Sequence, residues 1–482
     1  MPHGRPNLLP VLLLLIPLLL LALSIPGAPM HIDEAWIGEQ TWFLARDGYV
    51  HSNLFEGLAG SEGLLVVYHR LFVFAGSMAV EMFGWGLGSL RIVPLLSGLA
   101  LLAAMAYYMR RRVGASPAIT VAALAILLLI PIIFYHFKIY RPEMTMAFLG
   151  FASYMLLERF ERGGKWWHAA GSAALAGLAA LAHLYGLIFI VAGIAMLIRM
   201  RRIGWAALFA LAAAIPFIPY LLDIASHYDL FQAQISNGIA AKKTSFTWIT
   251  PFTNLLEEHK RLFRRAEIIP ISILFILALF IDWKHRVREN RLFYEYTILL
   301  VILTGALVSD KLVTRYAIPL LPFFSIAVAS ALGGILRGNE ICRPLRIGFL
   351  ALLAVFAGYG IYHQIGEAFG EKQDVAALNA TIAARIPAGE RCLAPMNMVF
   401  DEAGNYTLVG LYLARKEHND RLILGDAIRF AEEHRLRYII MNRFATNEER
   451  IDDMAEVRMR DDVEVIEEKD DYMIVRIKRG EK

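Results

Sequence analysis

Two adjacent carboxylates, Asp33 and Glu34, follow a nearly pure Leu/Ile/Val run at residues 8–25 in the string Met-His-Ile-Asp-Glu-Ala-Trp (30–36). A carboxylate fixed at a membrane–water boundary is suited to take a proton from a hydroxyl. A second cluster, Tyr140-Arg141-Pro142-Glu143, lies between two later apolar runs. A third, Asp310-Lys311-Leu312-Val313-Thr314-Arg315-Tyr316, opens another run, and Lys311 and Arg315 are four residues apart. On a helix that spacing puts both cations on one face, where they would suit a bound anion, phosphate above all. His183 and Tyr185 fall at a further turn, and His31 precedes the Asp-Glu pair. Each cluster also has a purely structural reading. Asp33 would make an N-cap, Glu143 would serve a helix dipole behind Pro142, and the cations would snorkel to headgroups.

The elements that carry these residues are membrane helices. The chain has 482 residues, 57% of them hydrophobic and only 19% charged, with a mean hydropathy of +0.50. That excludes disordered, coiled-coil and disulfide-scaffold classes and an ordinary cytosolic enzyme. The two cysteines, Cys342 and Cys392, cannot build a disulfide framework. Apolar runs at 8–25, 90–109, 118–134, 144–157, 169–182, 184–198, 203–222, 268–281, 292–308, 317–336 and 347–362 predict about eleven spans. Segment 64–84 is long enough to be another but carries His69, Arg70 and Glu81, so it is expected to lie in the interface.

With that assignment, every loop on one side is rich in Lys/Arg: 110–112, 159–165, 199–202, 284–291 and 337–346. Those loops are cytoplasmic by the positive-inside rule, and they account for the net charge of +4 without nucleic acid as a partner. Asp33, Glu34, Arg141, Glu143, Lys311 and Arg315 then share the external face, where Arg141 and Arg315 break the expected scarcity of cations. Residues 34–46 predict a helix lying flat in that interface, with Trp36, Ile37, Phe43 and Leu44 toward lipid. From about 366 to 482 the pattern changes to short β-like runs (438–441, 472–477) around an amphipathic helix at 426–435, a small external α/β domain. The expected division is a membrane domain at 1–365, including the external loop 26–89, followed by that domain.

In their order and common side, these clusters resemble the polytopic GT-C glycosyltransferases of the protein O-mannosyltransferase and lipid A aminoarabinose transferase group. Leu90-Arg91-Ile92-Val93-Pro94 and the His-x-Tyr-Gly element at 183–186 are similar to recurrent pieces of the bacterial members. The resemblance covers roughly residues 8 to 365. It implies a GT-C fold, a polyprenyl-phosphate sugar as donor, and transfer of a hexosyl or pentosyl group to an acceptor glycan, lipid or protein. The expected place is the extracytoplasmic face of a bacterial inner membrane. By position, Asp33 matches the catalytic carboxylate, Glu34 its neighbour, and Glu143 a second external acid where Asp is commoner. Lys311, Arg315 and Tyr316, with Arg141, match the donor-phosphate end, and His31, His183 and Tyr185 are candidate lining residues. Gly60-Ser-Glu-Gly63 replaces a proline-containing stretch, a departure on the acceptor side.

The chemistry agrees with those roles. A lipid-linked sugar phosphate leaves as a phosphate monoester, so it needs cations rather than a general acid, and one base suffices for the acceptor hydroxyl. Direct attack would invert the anomeric centre. No cofactor is required. His31, Asp33, Glu34, His51, Glu56, Glu143 and His183 offer ligands to a divalent metal, but without a diagnostic spacing. The competing class is a flippase or secondary transporter of lipid-linked sugars. Repeated halves and midplane polar residues would mark that class, and neither is present.

Overall fold

The computed structural model describes residues 8–240, 247–282, 290–308, 313–338 and 341–478. The chain enters through α1 (Leu8–Ser24) and α2 (Ile32–Asp47), followed by α3 (Arg70–Phe83) and α4 (Leu87–Arg111). Next come α5 (Pro117–Leu128), α6 (Pro131–His136), α7 (Glu143–Glu161) and α8 (Trp166–Ala182). Helices Leu87–Arg111, Ile203–Ser226, Thr314–Leu336 and Arg343–Phe369 are long and apolar enough to cross a bilayer. Leu14–Ser24, Pro117–Leu128, Leu184–Arg199 and Ile269–Ile281 are shorter apolar helices. The chain is thus built for a membrane, but by length and hydropathy the described residues do not reach the expected eleven spans.

Proline divides one of those spans. Residues 118–134 were expected as one helix, but Pro131 has no N–H to continue the ladder and instead starts α6. At the break, the Leu128 carbonyl accepts a hydrogen bond from Gln364 Nε2 of helix Arg343–Phe369 (2.7 Å). The same interruption turns His136, at the end of α6, toward the site described below. Helix Thr314–Leu336 has 94% of its apolar window buried and sits inside the bundle against α5, α7 and helix Ile269–Asp282. At the far end of α7 from Glu143, Glu158 joins Arg112 (3.0 Å) to Arg162 (3.3 Å). The basic ends of α4 and α7 therefore meet at the opposite end of the bundle from the Asp33 region.

After helix Arg343–Phe369 the chain forms a five-stranded sheet. Its strands are β1 (Arg391–Ala394), β2 (Thr407–Gly410), β3 (Tyr438–Asn442), β4 (Val463–Lys469) and β5 (Tyr472–Ile477), in the order β2-β1-β3-β5-β4. The pairs β1–β2 and β1–β3 are parallel, and the pairs involving β5 are antiparallel. Strand alternation gives the sheet two apolar faces. Leu393, Val409, Ile439 and Val475 pack on helices Leu411–Glu417 and Leu424–Glu433. Cys392, Leu408, Ile440 and Ile474 join one core with Ala35 and Ile37 of α2 and with Phe72 of α3.

That second face corrects the reading of α2. Its buried residues include Glu34, Ala35, Ile37, Gly38, Glu39, Gln40, Thr41 and Phe43, so it is covered by protein rather than laid in lipid. The exposed apolar stripe belongs to α3, where Phe74, Met78 and Met82 recur every four residues. Two tethers fix the sheet over α2: Gln373 N–H donates to Gly27 O (2.9 Å), and Gly410 N–H donates to Leu54 O (3.0 Å). Cys392 is buried and Cys342 exposed, both free thiols.

Candidate active site

His31, not Asp33, caps α2. Its Nδ1 accepts from the Asp33 N–H (3.1 Å), and the Glu34 carboxylate reaches back to the His31 N–H (2.8 Å), a complete capping box. Burial, then the neighbouring Arg141 charge, pushes the His31 pKa down to about 4. The imidazole is therefore neutral and able to accept. This cap fixes the two carboxylates in opposite directions.

Glu34 points inward and is fully buried. It holds Arg91 of α4 through two hydrogen bonds (2.8 and 2.7 Å) and accepts from the Tyr140 N–H (2.6 Å). Arg91 in turn donates to the carbonyls of Ala28 and Pro29, each at 3.0 Å. Glu34 is thus a brace joining the first loop, α4 and the 140–143 turn, and it is not among the residues that line the cavity described below. Arg91 was legible as part of a motif but had been given no role.

Asp33 points the other way, with about 30% of its side chain exposed, and is ion-paired to Arg141. Arg141 also binds Glu143 (2.7 Å), which opens α7 behind Pro142 and is fully buried. Arg315 Nε lies 3.7 Å from the same Glu143 carboxylate, at the start of a 3₁₀ turn, Thr314–Leu320. The three separate clusters therefore converge, with Glu143 aiming the two arginines rather than facing open space. Lys311 and Asp310 lie outside the described residues.

Arg141, Arg265 and Arg315 line one cavity of about 410 Å³, together with His31, His136 and Glu267. Tyr135, His363 and Glu367 also line it, and Glu367 is paired to the buried Lys138 (2.7 Å). Arg265 has no ion pair among the described residues, and Arg315 Nε has no hydrogen bond there. Asp33 stands beside the cavity against two of its lining residues, His31 and Arg141. Arg141 is shared by two carboxylates and Arg315 leans on one, while Arg265 is exposed and keeps its guanidinium unpaired among the described residues; three guanidinium groups around one cavity suit a bound anion.

The remaining sequence candidates pack behind this cavity instead of lining it. His183 stacks on His69 (4.8 Å between rings) and touches Tyr316 edge-on, while Tyr185 packs on Tyr316 and donates to Thr304 Oγ1. Metal candidates are drawn apart as well. His51 stacks on Phe43 and pairs with Asp47, and Glu56 pairs with Arg391. Among the described residues no three His, Cys, Asp or Glu side chains gather as a metal site requires. Arg265 and Glu267 belong to the charged external loop at about 223–267, which reads from sequence as a lid or acceptor-contacting loop, whereas His136 carries no such reading. The one signal for His136 was an ionisable residue just past an apolar run.

The architecture as a whole is similar to ArnT from Cupriavidus metallidurans bound to undecaprenyl phosphate, at TM-score 0.65 and 14% identity over 99% of both chains. The chain has the GT-C fold. It is also similar to the Archaeoglobus fulgidus oligosaccharyltransferase tethered with an acceptor peptide, at TM-score 0.53 and 10% identity over 91% of this chain and 69% of that one. The mycobacterial arabinofuranosyltransferase AftD matches at TM-score 0.51 and 11% identity, over 100% of this chain and 40% of its own. No family model matches the chain, and no curated protein does. The likeness to ArnT covers 99% of the chain, the sheet included.

Proposed function

We propose that the chain is a membrane glycosyltransferase that moves a hexosyl or pentosyl group from a polyprenyl-phosphate donor to a hydroxyl of an acceptor glycan, lipid or protein. The observation that carries this reading is the convergence of Arg141, Arg265 and Arg315 on one cavity beside Asp33 in a GT-C fold. The ArnT structure holds undecaprenyl phosphate, whose head is the kind of anion those arginines suit. Separation of this cavity from the basic ends of α4 and α7 supports an extracytoplasmic site in a bacterial inner membrane.

In this reading the donor phosphate competes with Asp33 for Arg141 and, by engaging it, releases the carboxylate. Asp33 then takes the proton of the acceptor hydroxyl, and the oxygen attacks the anomeric carbon from the face opposite the phosphate. The carbon–oxygen bond to phosphate breaks, its electron pair leaves on polyprenyl phosphate, and Arg315 and Arg265 stabilise that charge. The anomeric centre inverts. Lys311 is assigned to the same phosphate, Glu143 positions Arg141 and Arg315, and no step needs a metal.

Binding of undecaprenyl phosphate to the purified protein tests this directly. A charge-assisted hydrogen bond is worth about 1.5–3 kcal/mol, so Arg315→Ala should weaken binding roughly 10- to 100-fold. A wild type that does not bind, or an Arg265→Ala/Arg315→Ala double variant that binds equally well, would overturn the proposal.

A further inference from the structure

His136 is the last residue of α6, beyond the apolar run, and only 4% exposed. Its Nδ1 lies 2.8 Å from the Ile132 carbonyl oxygen. A carbonyl can only accept, so Nδ1 carries the proton and, in the neutral ring, Nε2 is a bare lone pair. Nε2 is buried and has no hydrogen-bond partner among the described residues, and His136 lines the cavity of the three arginines. Burial disfavours the imidazolium, with Glu143, Arg315 and Glu267 the charged groups that act on it.

A buried acceptor without a partner costs about 1–3 kcal/mol, so it is best explained by a ligand that satisfies it. That partner cannot be the phosphate, because ionised phosphate oxygens are acceptors too. It must bring a donor, and the hydroxyls of a sugar are the most numerous donors the sugar-transfer substrates carry. We infer that His136 Nε2 accepts a hydrogen bond from a hydroxyl of the sugar-transfer substrates, while the arginines of the same cavity hold the phosphate.

This inference rests on the proposed function and names a ligand contact within it. A neutral imidazole suits the position, since a carboxylate there would repel the phosphate. Two substrates carry such a hydroxyl: the sugar of the donor lipid and the acceptor.

The test compares wild type, His136→Leu and His136→Gln, as full-length protein in detergent. The probes are undecaprenyl phosphate and a panel of undecaprenyl-phosphate hexoses and pentoses. The expected result is unchanged affinity for bare undecaprenyl phosphate and roughly 10-fold weaker binding of the best sugar-bearing lipid by His136→Leu, with part of the loss restored by His136→Gln. Unchanged donor binding with a roughly 10-fold higher acceptor KM would instead place the contact on the acceptor hydroxyl. Equal weakening of both lipids would make His136 a packing or phosphate residue and overturn the inference, as would no change in any of these quantities. A wild type that binds no lipid would fail the functional reading first, before His136 is in question.

Discussion

Adjacent acids in the chain do opposite work because the His31 cap turns one of them inward. Glu34 is enclosed with Arg91, whereas Asp33 keeps an open side and one cation. Glu34→Gln leaves the buried Arg91 without a carboxylate, a change that costs about 3–5 kcal/mol in comparable pairs. Its melting temperature should fall by several degrees with activity, while Asp33→Asn should melt like wild type. Thermal unfolding in detergent checks both, and a Glu34→Gln protein of wild-type stability would contradict the brace. The sequence already showed Asp33, Arg141, Glu143 and Arg315 as charges at the ends of apolar runs, and all four assemble here. His136 was not legible, and Arg265 and Glu267 were legible only as part of a charged external loop at about 223–267. A cavity wall is built from segments far apart in the chain, and no spacing rule links them. The N-cap was misassigned because histidine is not among the residues usually expected there.

At the scale of elements, α2 carries its own pH sensitivity. Glu39 is buried and accepts from Ser52 Oγ (2.5 Å) and from the N–H groups of Asn53 (2.9 Å) and Leu54 (3.0 Å). Burial outweighs those bonds and raises its pKa from 4.5 to about 7. Between those values the folded state keeps a proton that the unfolded state has lost, so stability falls as pH rises from 4.5 through 7 and then levels. The window amounts to about 3 kcal/mol. Hydrogen exchange at residues 52–54 should quicken, beyond its intrinsic pH trend, across that range in wild type. Glu39→Gln should remove the excess, and the same excess in both proteins would contradict the assignment. The apolar side of α2 was legible, but its partner was not: the periodicity suited lipid equally well, and the sheet that covers it begins at Arg391, far along the chain from Asp47 where α2 ends. The strands at 438–442 and 472–477 form where the short β-like runs at 438–441 and 472–477 predict them. The count of eleven spans is not confirmed, because proline divides one run, at Pro131, and others form helices too short to count by length.

The whole molecule joins a membrane bundle, a cationic cavity at one end and a sheet tethered over the carboxylate-bearing helix. Its central claim is that Asp33 acts on an acceptor while the arginines hold a polyprenyl phosphate. The most direct test incubates purified protein with a radiolabelled polyprenyl-phosphate hexose and candidate acceptors, comparing wild type with Asp33→Asn. The expected result is acceptor-dependent release of polyprenyl phosphate that drops at least 100-fold in the variant, the lower end of what a general base supplies, while donor binding persists. Near-wild-type turnover by Asp33→Asn would contradict the account.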